Sequence, residues 1–195
     1  AWTGRHDAWL RRTRKEHLAL AGAGTLAAFD DGYEAVTHAL ARRDRLDAAI
    51  LALAADSEFT GVTRRLCCLR GISTMTGFAL AVEIGDWHRL TGASIGAYLG
   101  LVPTEYSSGA SRVQGSITKA GNAHVRRLLI EAAWHHRASY RNPGPTMRAR
   151  WAKVNPAFNA RGHAGNPRLH QQWWPVHGTT KPHGGANVAV APQCG

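Results

Sequence analysis

Between residues 34 and 57 the apolar side chains Ala39, Leu46, Ile50 and Leu53 recur along a seven-residue seam, while Arg42, Arg43, Asp44, Arg45 and Asp47 take the other faces. A stretch of that length with helical periodicity predicts one long amphipathic helix, and it commits this part of the chain to helix packing rather than to sheet. The seam runs for under three heptads. It therefore fits a coiled-coil arm that pairs with a second copy, and equally a helix laid on its own domain. Upstream, residues 8–29 are rich in Ala, Leu and Arg at helical spacing but are interrupted at Ala21-Gly22-Ala23-Gly24, which predicts two short helices there.

Glycines then divide the chain. Residues 59–69 read as a short helix, Gly71 supplies a tight turn, and Ser73 or Thr74 caps a helix that runs to about Glu83 and stops at Gly85. A further short helix over 93–99 closes at Gly100. Two short helices about a glycine turn make a helix-hairpin-helix-like unit, in which Gly71 and Ser73 would present amides and a helix N-terminus to a backbone phosphate. An ordinary helical hairpin has the same pattern. Residues 104–121 change texture to Ser, Thr and Gly with almost no core-forming side chain, which predicts a flexible loop or short hairpin. A helix comes next over 122–140 with Val125, Leu128, Leu129, Ala132 and Ala133 inward. Beyond Pro143, Pro, Gly, Asn and His recur; one more helix fits at 146–154, and little regular structure is expected past Ala160. The fold class expected is mostly α: a helical linker region over 1–58 with a coiled-coil-like helix at 34–57, a helical domain with a Ser/Gly loop over 59–142, and a basic, largely irregular tail over 143–195.

Charge sharpens that division. The 195 residues carry 24 Lys and Arg against 13 Asp and Glu, a net +11. Through Glu105 twelve basic and twelve acidic residues cancel; from Tyr106 onward twelve basic residues face the single acid Glu131. A neutral half joined to a strongly basic one suits a scaffold followed by a surface for a polyanion, nucleic acid above all. Cys67, Cys68 and Cys194 do not make a disulfide framework, and no apolar stretch is long enough to span a bilayer, so a cytoplasmic, nucleoid-associated protein is expected, with no membrane partner.

Acting on nucleic acid requires either carboxylates that hold metal ions or a side-chain nucleophile among phosphate-binding cations. The acids lie mostly on helices beside arginines, and no acidic pair stands on a strand-like run, so no metal site is expected in this chain. The hydroxyl pair Ser107-Ser108 before Gly109 lies in the flexible loop and is followed by Arg112, Lys119, Arg126 and Arg127. A serine attacking a phosphodiester must lose its proton, and cations must balance the charge that grows on the phosphorane; arginine is the better clamp because its planar fork meets two oxygens. Ser-Ser-Gly is also ordinary loop composition. The 11 histidines lack metal-ligand spacing and are expected to be solvated or nucleic-acid-facing. Trp134, Trp151, Trp173 and Trp174 are packing anchors or base-stacking platforms, with Trp134 expected in the core.

Several spaced motifs resemble the C-terminal domain of the IS110 and IS116 insertion-sequence transposases: Leu69-Arg70-Gly71-Ile72-Ser73-Thr74-Met75-Thr76, Glu83-Ile84-Gly85-Asp86, Ala97-Tyr98-Leu99-Gly100-Leu101-Val102-Pro103, Ser107-Ser108-Gly109, Gly115 to Asn122, and Val125-Arg126-Arg127-Leu128-Leu129. The resemblance implies a DNA recombinase. In it an RNase-H-like N-terminal domain carries four metal-binding acids, and a serine in the Ser-Gly motif forms a covalent DNA intermediate. It also implies DNA as partner, in some members an element-encoded guide RNA, and a homo-oligomer. Carried to this chain, the nucleophile is Ser108 with Ser107 as fallback, and Arg112, Lys119, Arg126 and Arg127 fall in the family's basic positions. No cofactor is expected in this chain, the divalent metal belonging to the acid-bearing domain. Lacking that domain, and with Pro192-Gln193-Cys194-Gly195 breaking off a helix-like run at 186–191, the chain reads as a truncated or decayed copy of a transposase. The alternatives are a non-catalytic basic DNA- or RNA-binding module and a helical scaffold that dimerises.

Overall fold

The computed structural model describes residues 2–92, 94–111 and 113–178, with side chains through Trp173. The chain divides into two compact units, Ala1–Ala49 and Ile50–Gly195.

The first unit holds α1 (Gly4–Glu16) and most of α2 (Ala23–Ala55). Thr3 caps α1 by accepting from the His6 amide, and a single 3₁₀ turn at Leu18–Leu20 followed by Gly22 at φ +100° reverses the chain. Polar contacts tie the two helices in antiparallel order: Arg14 grips both Asp30 oxygens, and the Tyr33 hydroxyl donates to Asp7 while accepting from Arg11. No described residue from 2 to 49 is buried. Two expectations change here. Instead of a second short helix after Gly22, the chain begins a 33-residue one, because Gly24 and Gly32, at about 1 kcal/mol each, do not outweigh the good helix formers around them. The seam is also only partly covered among the described residues: Leu46 is 52% and Leu53 54% exposed, while Ile50 is half-buried.

The second unit contains the core. In chain order it comprises α3 (Thr60–Leu66), α4 (Thr74–Ile84), α5 (Ser94–Tyr98), strands β1 (Pro103–Glu105) and β2 (Gln114–Ile117), α6 (Ala123–Trp134), α7 (Pro145–Trp151) and α8 (Pro156–Gly178). Ser73 caps α4 through the Thr76 amide and Gly85, at φ +65°, ends it, as the sequence predicts. Asn122 caps α6 by accepting from the His124 and Val125 amides. Ile72, Leu80, Leu99, Val125, Leu129, Leu169 and Trp173 are each at most 1% exposed and pack into one cluster. Each such side chain contributes about 1.5–3 kcal/mol by leaving water. The sheet has only two strands, so the unit is helical, as expected. The expected loop or hairpin at 104–121 is a hairpin.

The C-terminal region corrects the sequence reading. The short helix expected at 146–154 is α7, but the described residues past Ala160 are not irregular: they belong to α8, which runs 23 residues to Gly178. Gly162, Gly165 and Pro167 argue locally against helix. Burial reverses that preference, since Leu169 is 0% and Trp173 1% exposed. Asn166, fully buried, donates to the Gly162 and Cys68 carbonyls and accepts from the Arg70 amide, fastening α8 to the α3–α4 turn. Gly162 sits where a Cβ would press on Cys68, so the glycine that weakens the helix permits its packing. Trp134, expected in the core, is 41% exposed, whereas His136, expected in solvent, is 0% exposed. Cys67 and Cys68 are buried free thiols whose pKa is raised chiefly by that burial. Cys194, Trp174's side chain and the 186–191 run lie outside the described residues.

Candidate nucleic-acid interface

The Ser/Gly segment forms an antiparallel hairpin with Pro103 opposite Ile117 and Glu105 opposite Gln114, the register slipping between them. Its tip closes at Ser108 and Ser111, which exchange both backbone hydrogen bonds at 3.1 and 3.0 Å. Gly109 takes the first central position with φ +57°, and Ala110 is not left-handed, the pattern of a II′ hairpin turn. Every residue from Glu105 to Ser111 is exposed, Tyr106 to 74%. The two serines differ. Ser107 Oγ donates to Glu105 Oε1 at 2.8 Å, whereas Ser108 Oγ makes no hydrogen bond among the described residues. A carboxylate that accepts a serine proton is the geometry of a general base, a role the charge count alone does not give Glu105, where it is only the last acid of the neutral half. Alternation along β1 could have found it, because residues 105 and 107 share a face of an extended strand.

At the foot of the hairpin the backbone is tightly folded. Gly100 (φ +64°) and Gly121 (φ +74°) pack so closely that a Cβ on either would strike the other segment's backbone, at Ala120 and Tyr98. Lys119, exposed, is held at φ +55° with its amide donating to the Gly100 carbonyl at 3.0 Å; among the described residues it is the one non-glycine in the left-handed region. Arg126 Nη1 donates to the Leu99 and Ala120 carbonyls at 2.8 and 2.9 Å, so this guanidinium clamps the crossing. Arg127, one position on, is exposed and only loosely paired, 3.6 Å from Glu131. Beside them Glu83 accepts from Asn122 at 2.6 Å and pairs with His124 Nδ1 at 2.9 Å. The His124 and Asn122 bonds hold the Glu83 carboxyl below the usual carboxylate range. Arg112 lies outside the described residues.

The residues expected to hold a phosphate in a helix-hairpin-helix are placed differently. Gly71 has φ +89° and lies against α6, where a Cβ would collide with the Ala132 backbone. Its neighbour Ile72 is 1% exposed, with its carbonyl accepting from Arg150 at 2.9 Å. Ser73 Oγ bonds the Thr76 amide and hydroxyl. Arg70 stacks over Tyr140 and donates to the Ala138 and Ser139 carbonyls. The turn is therefore packed against α6 and tied as well to the 138–140 segment, α7 and α8. Its glycine is explained by the close approach to α6. The structure thus brings Lys119, Arg126, Gly100 and Gly121 together at the hairpin's foot, and leaves Gly71 and Ser73 in a separate, packed turn.

Among the described residues no group of three or more His, Cys, Asp or Glu is placed to hold a metal ion, and no helix is long and apolar enough to cross a membrane.

Residues 63–152 match the sequence model of the Transposase IS116/IS110/IS902 family. The chain is similar to the transposase-family protein y4qE of Sinorhizobium fredii, 31% identical over 138 residues that make up 70% of this chain and 31% of that protein. It is similar over 71 residues to the transposase for insertion sequence element IS1328 of Yersinia enterocolitica, 39% identical, covering 36% of this chain and 21% of that one. Over another 71-residue match it is 34% identical to the transposase for insertion sequence element IS1111A of Coxiella burnetii, covering 36% and 20%. The chain spans about a third or less of the length of these relatives.

Proposed function

We propose, on the premise that residues 63–152 are a region of the Transposase IS116/IS110/IS902 family, that this chain is the DNA-engaging part of an insertion-sequence transposase and that Ser108 attacks a DNA phosphodiester. The observation that carries the reading is the exposed hairpin tip, which holds a hydroxyl unengaged among the described residues on a strand pair braced at its foot by Gly100, Gly121 and Arg126. In the reaction the Oγ–P bond forms as the bond from phosphorus to a deoxyribose oxygen breaks. The serine proton passes to a base, and the departing oxygen takes a proton from an acid or water. Lys119 and Arg127, both exposed, are the described cations suited to hold phosphates; Arg112 is the third by resemblance. Arg126 acts chiefly as a brace. DNA is thus the partner, met in the cytoplasm at the nucleoid, and a guide RNA and self-association belong to the same reading.

A second reading exchanges the serines. Ser107 already donates to Glu105, a base in place, which favours it as nucleophile if the tip rearranges on DNA. The experiment separates the two. A nicked DNA substrate incubated with the chain, together with whatever domain completes the site, gives a covalent protein–DNA adduct. Loss of that adduct in Ser108→Ala but not Ser107→Ala supports the first reading, and the converse supports the second. Persistence in both variants refutes a serine nucleophile. If no adduct forms under any condition while salt-sensitive binding remains, the chain is a binding module without catalysis.

A further inference from the structure

A groove of about 720 Å³ runs between α3, the turn after α4 and α8, apart from the serine hairpin. Its floor is apolar, formed by Val62, Leu66 and Leu169 among others, and two aromatic rings, Trp87 and Phe158, stand in its walls. Arg65, Arg161 and Arg168 border it, all exposed, and among the described residues none of the three is ion-paired. Two of these guanidiniums stack over the same ring, Arg65 at 5.0 Å and Arg161 at 6.0 Å from the Phe158 centroid. The one acid in the lining, Asp86, accepts from the His88 amide at 2.9 Å. Among the described residues the buried Trp87 indole N–H meets no acceptor.

We infer that this groove binds an unpaired nucleic-acid strand, with bases against Trp87, Phe158 and the apolar floor and phosphates on Arg65, Arg161 and Arg168. Charge complementarity selects a polyanion, and the groove's shape selects its state. A duplex offers phosphates but keeps its bases stacked inside, so it would leave the apolar floor unfilled. An unpaired strand offers both phosphates and π-faces, which is how sequence-tolerant single-strand sites are built. The arginines that already lie over Phe158 are oriented before a ligand arrives, which lowers the ordering needed on binding. The inference shares with the proposed function only the class of partner: its residues are not those of the hairpin, and it stands whether or not Ser108 reacts.

The test uses the full chain and a fluorescent thymidine strand of about twelve nucleotides, within the length such sites cover, compared by anisotropy with the matching duplex. The strand is expected to bind more tightly than the duplex. The double variant Arg161→Gln/Arg168→Gln should weaken strand binding about tenfold or more and reduce the slope of log affinity against log salt by about 1.4, two phosphates' worth for a single strand. Strands carrying 5-iododeoxyuridine should photo-crosslink to Trp87 or Phe158. Because those two arginines are exposed, the variant should keep its helical circular dichroism and melting temperature; Phe158→Leu, which removes the ring and leaves the charges, gives a second route to the same loss. Ser108→Ala should leave strand binding unchanged, so failure of the serine chemistry does not imitate failure here. Unchanged strand affinity in both groove variants, or crosslinks confined to the hairpin, overturns the inference. So does displacement of nothing but an acidic amphipathic peptide from the groove, which would make it a protein-docking site.

Discussion

Two turns in this molecule are written in nearly the same letters. The α3–α4 turn contains Gly71 and Ser73, and the hairpin tip contains Ser108 and Gly109; both glycines have positive φ. Around Gly71 a Cβ would meet the Ala132 backbone, whereas around Gly109 it would meet nothing within 4 Å. The hydroxyl of Ser73 is bonded to its own helix, and that of Ser108 is unengaged among the described residues. Glycine and serine composition therefore marks where the chain turns. Packing decides whether the turn is committed to the core or left open to a partner. The packed turn should be sensitive to substitution in stability and the open one in reaction, and this contrast can be tested position by position.

The largest stability effect is expected at Gly71→Ala, which combines a collision with α6 and a left-handed backbone. A loss of about 3 kcal/mol or more, seen as a drop on the order of 10 °C in melting temperature, would confirm it; a melt near that of the parent chain would break the contrast. Next comes acid sensitivity beside the same turn. His136 is fully buried, and burial first and the Arg70 charge second lower its pKa from 6.5 to about 4, against weaker support for the charged ring from the Arg70 and Asn166 backbone. The unfolded chain then binds the proton that the folded one refuses. Stability from this group is complete above about pH 6.5 and falls as pH drops toward 4, by about 3 kcal/mol in all. Urea titrations across that window check it, and His136→Phe should flatten the dependence there.

A smaller difference separates two adjacent arginines. Arg126→Ala removes bonds to two carbonyls at the foot of the hairpin and should cost about 2 kcal/mol, whereas Arg127→Ala should stay within about 0.5 kcal/mol while weakening DNA binding. Equal melts for the two would remove the distinction between brace and phosphate ligand. The smallest stability change is expected at the tip: Ser108→Ala should shift unfolding by less than about 0.5 kcal/mol even as it abolishes covalent attachment.

Much of the middle of the chain is legible from its residues because its signals are local. Caps at Ser73 and Asn122 and stops at Gly85 and Gly100 act within one turn of backbone, so α4, α5 and α6 lie close to where the residues place them. The hairpin can be read only as a loop or hairpin, since its strands bury little and have no apolar alternation to announce them. The last helix is illegible for the opposite reason. Its own residues oppose helix, and what stabilises it lies elsewhere in the chain: Asn166 bonds Cys68, nearly a hundred residues away, and Leu169 and Trp173 join the shared core cluster. His136 and Trp134 exchange their expected places because residues two apart at a helix end point to nearly opposite sides, and the 3₁₀ turn that carries His136 is the part that packs on α8.

The helical class, the positions of most turns, the charge division and, through spaced motifs, the resemblance to the family whose model matches residues 63–152 are legible in the residues alone. Each of these depends on near neighbours in the chain or on residue type alone. Which glycine turn packs against another helix, which arginine is a brace, that Glu105 reaches Ser107, and that α8 closes a groove bordered by Arg65, Arg161 and Arg168 emerge only in the folded unit. These depend on which distant surfaces are pressed together. That is set by the burial of shared apolar area, a sum over the whole unit that no local window contains.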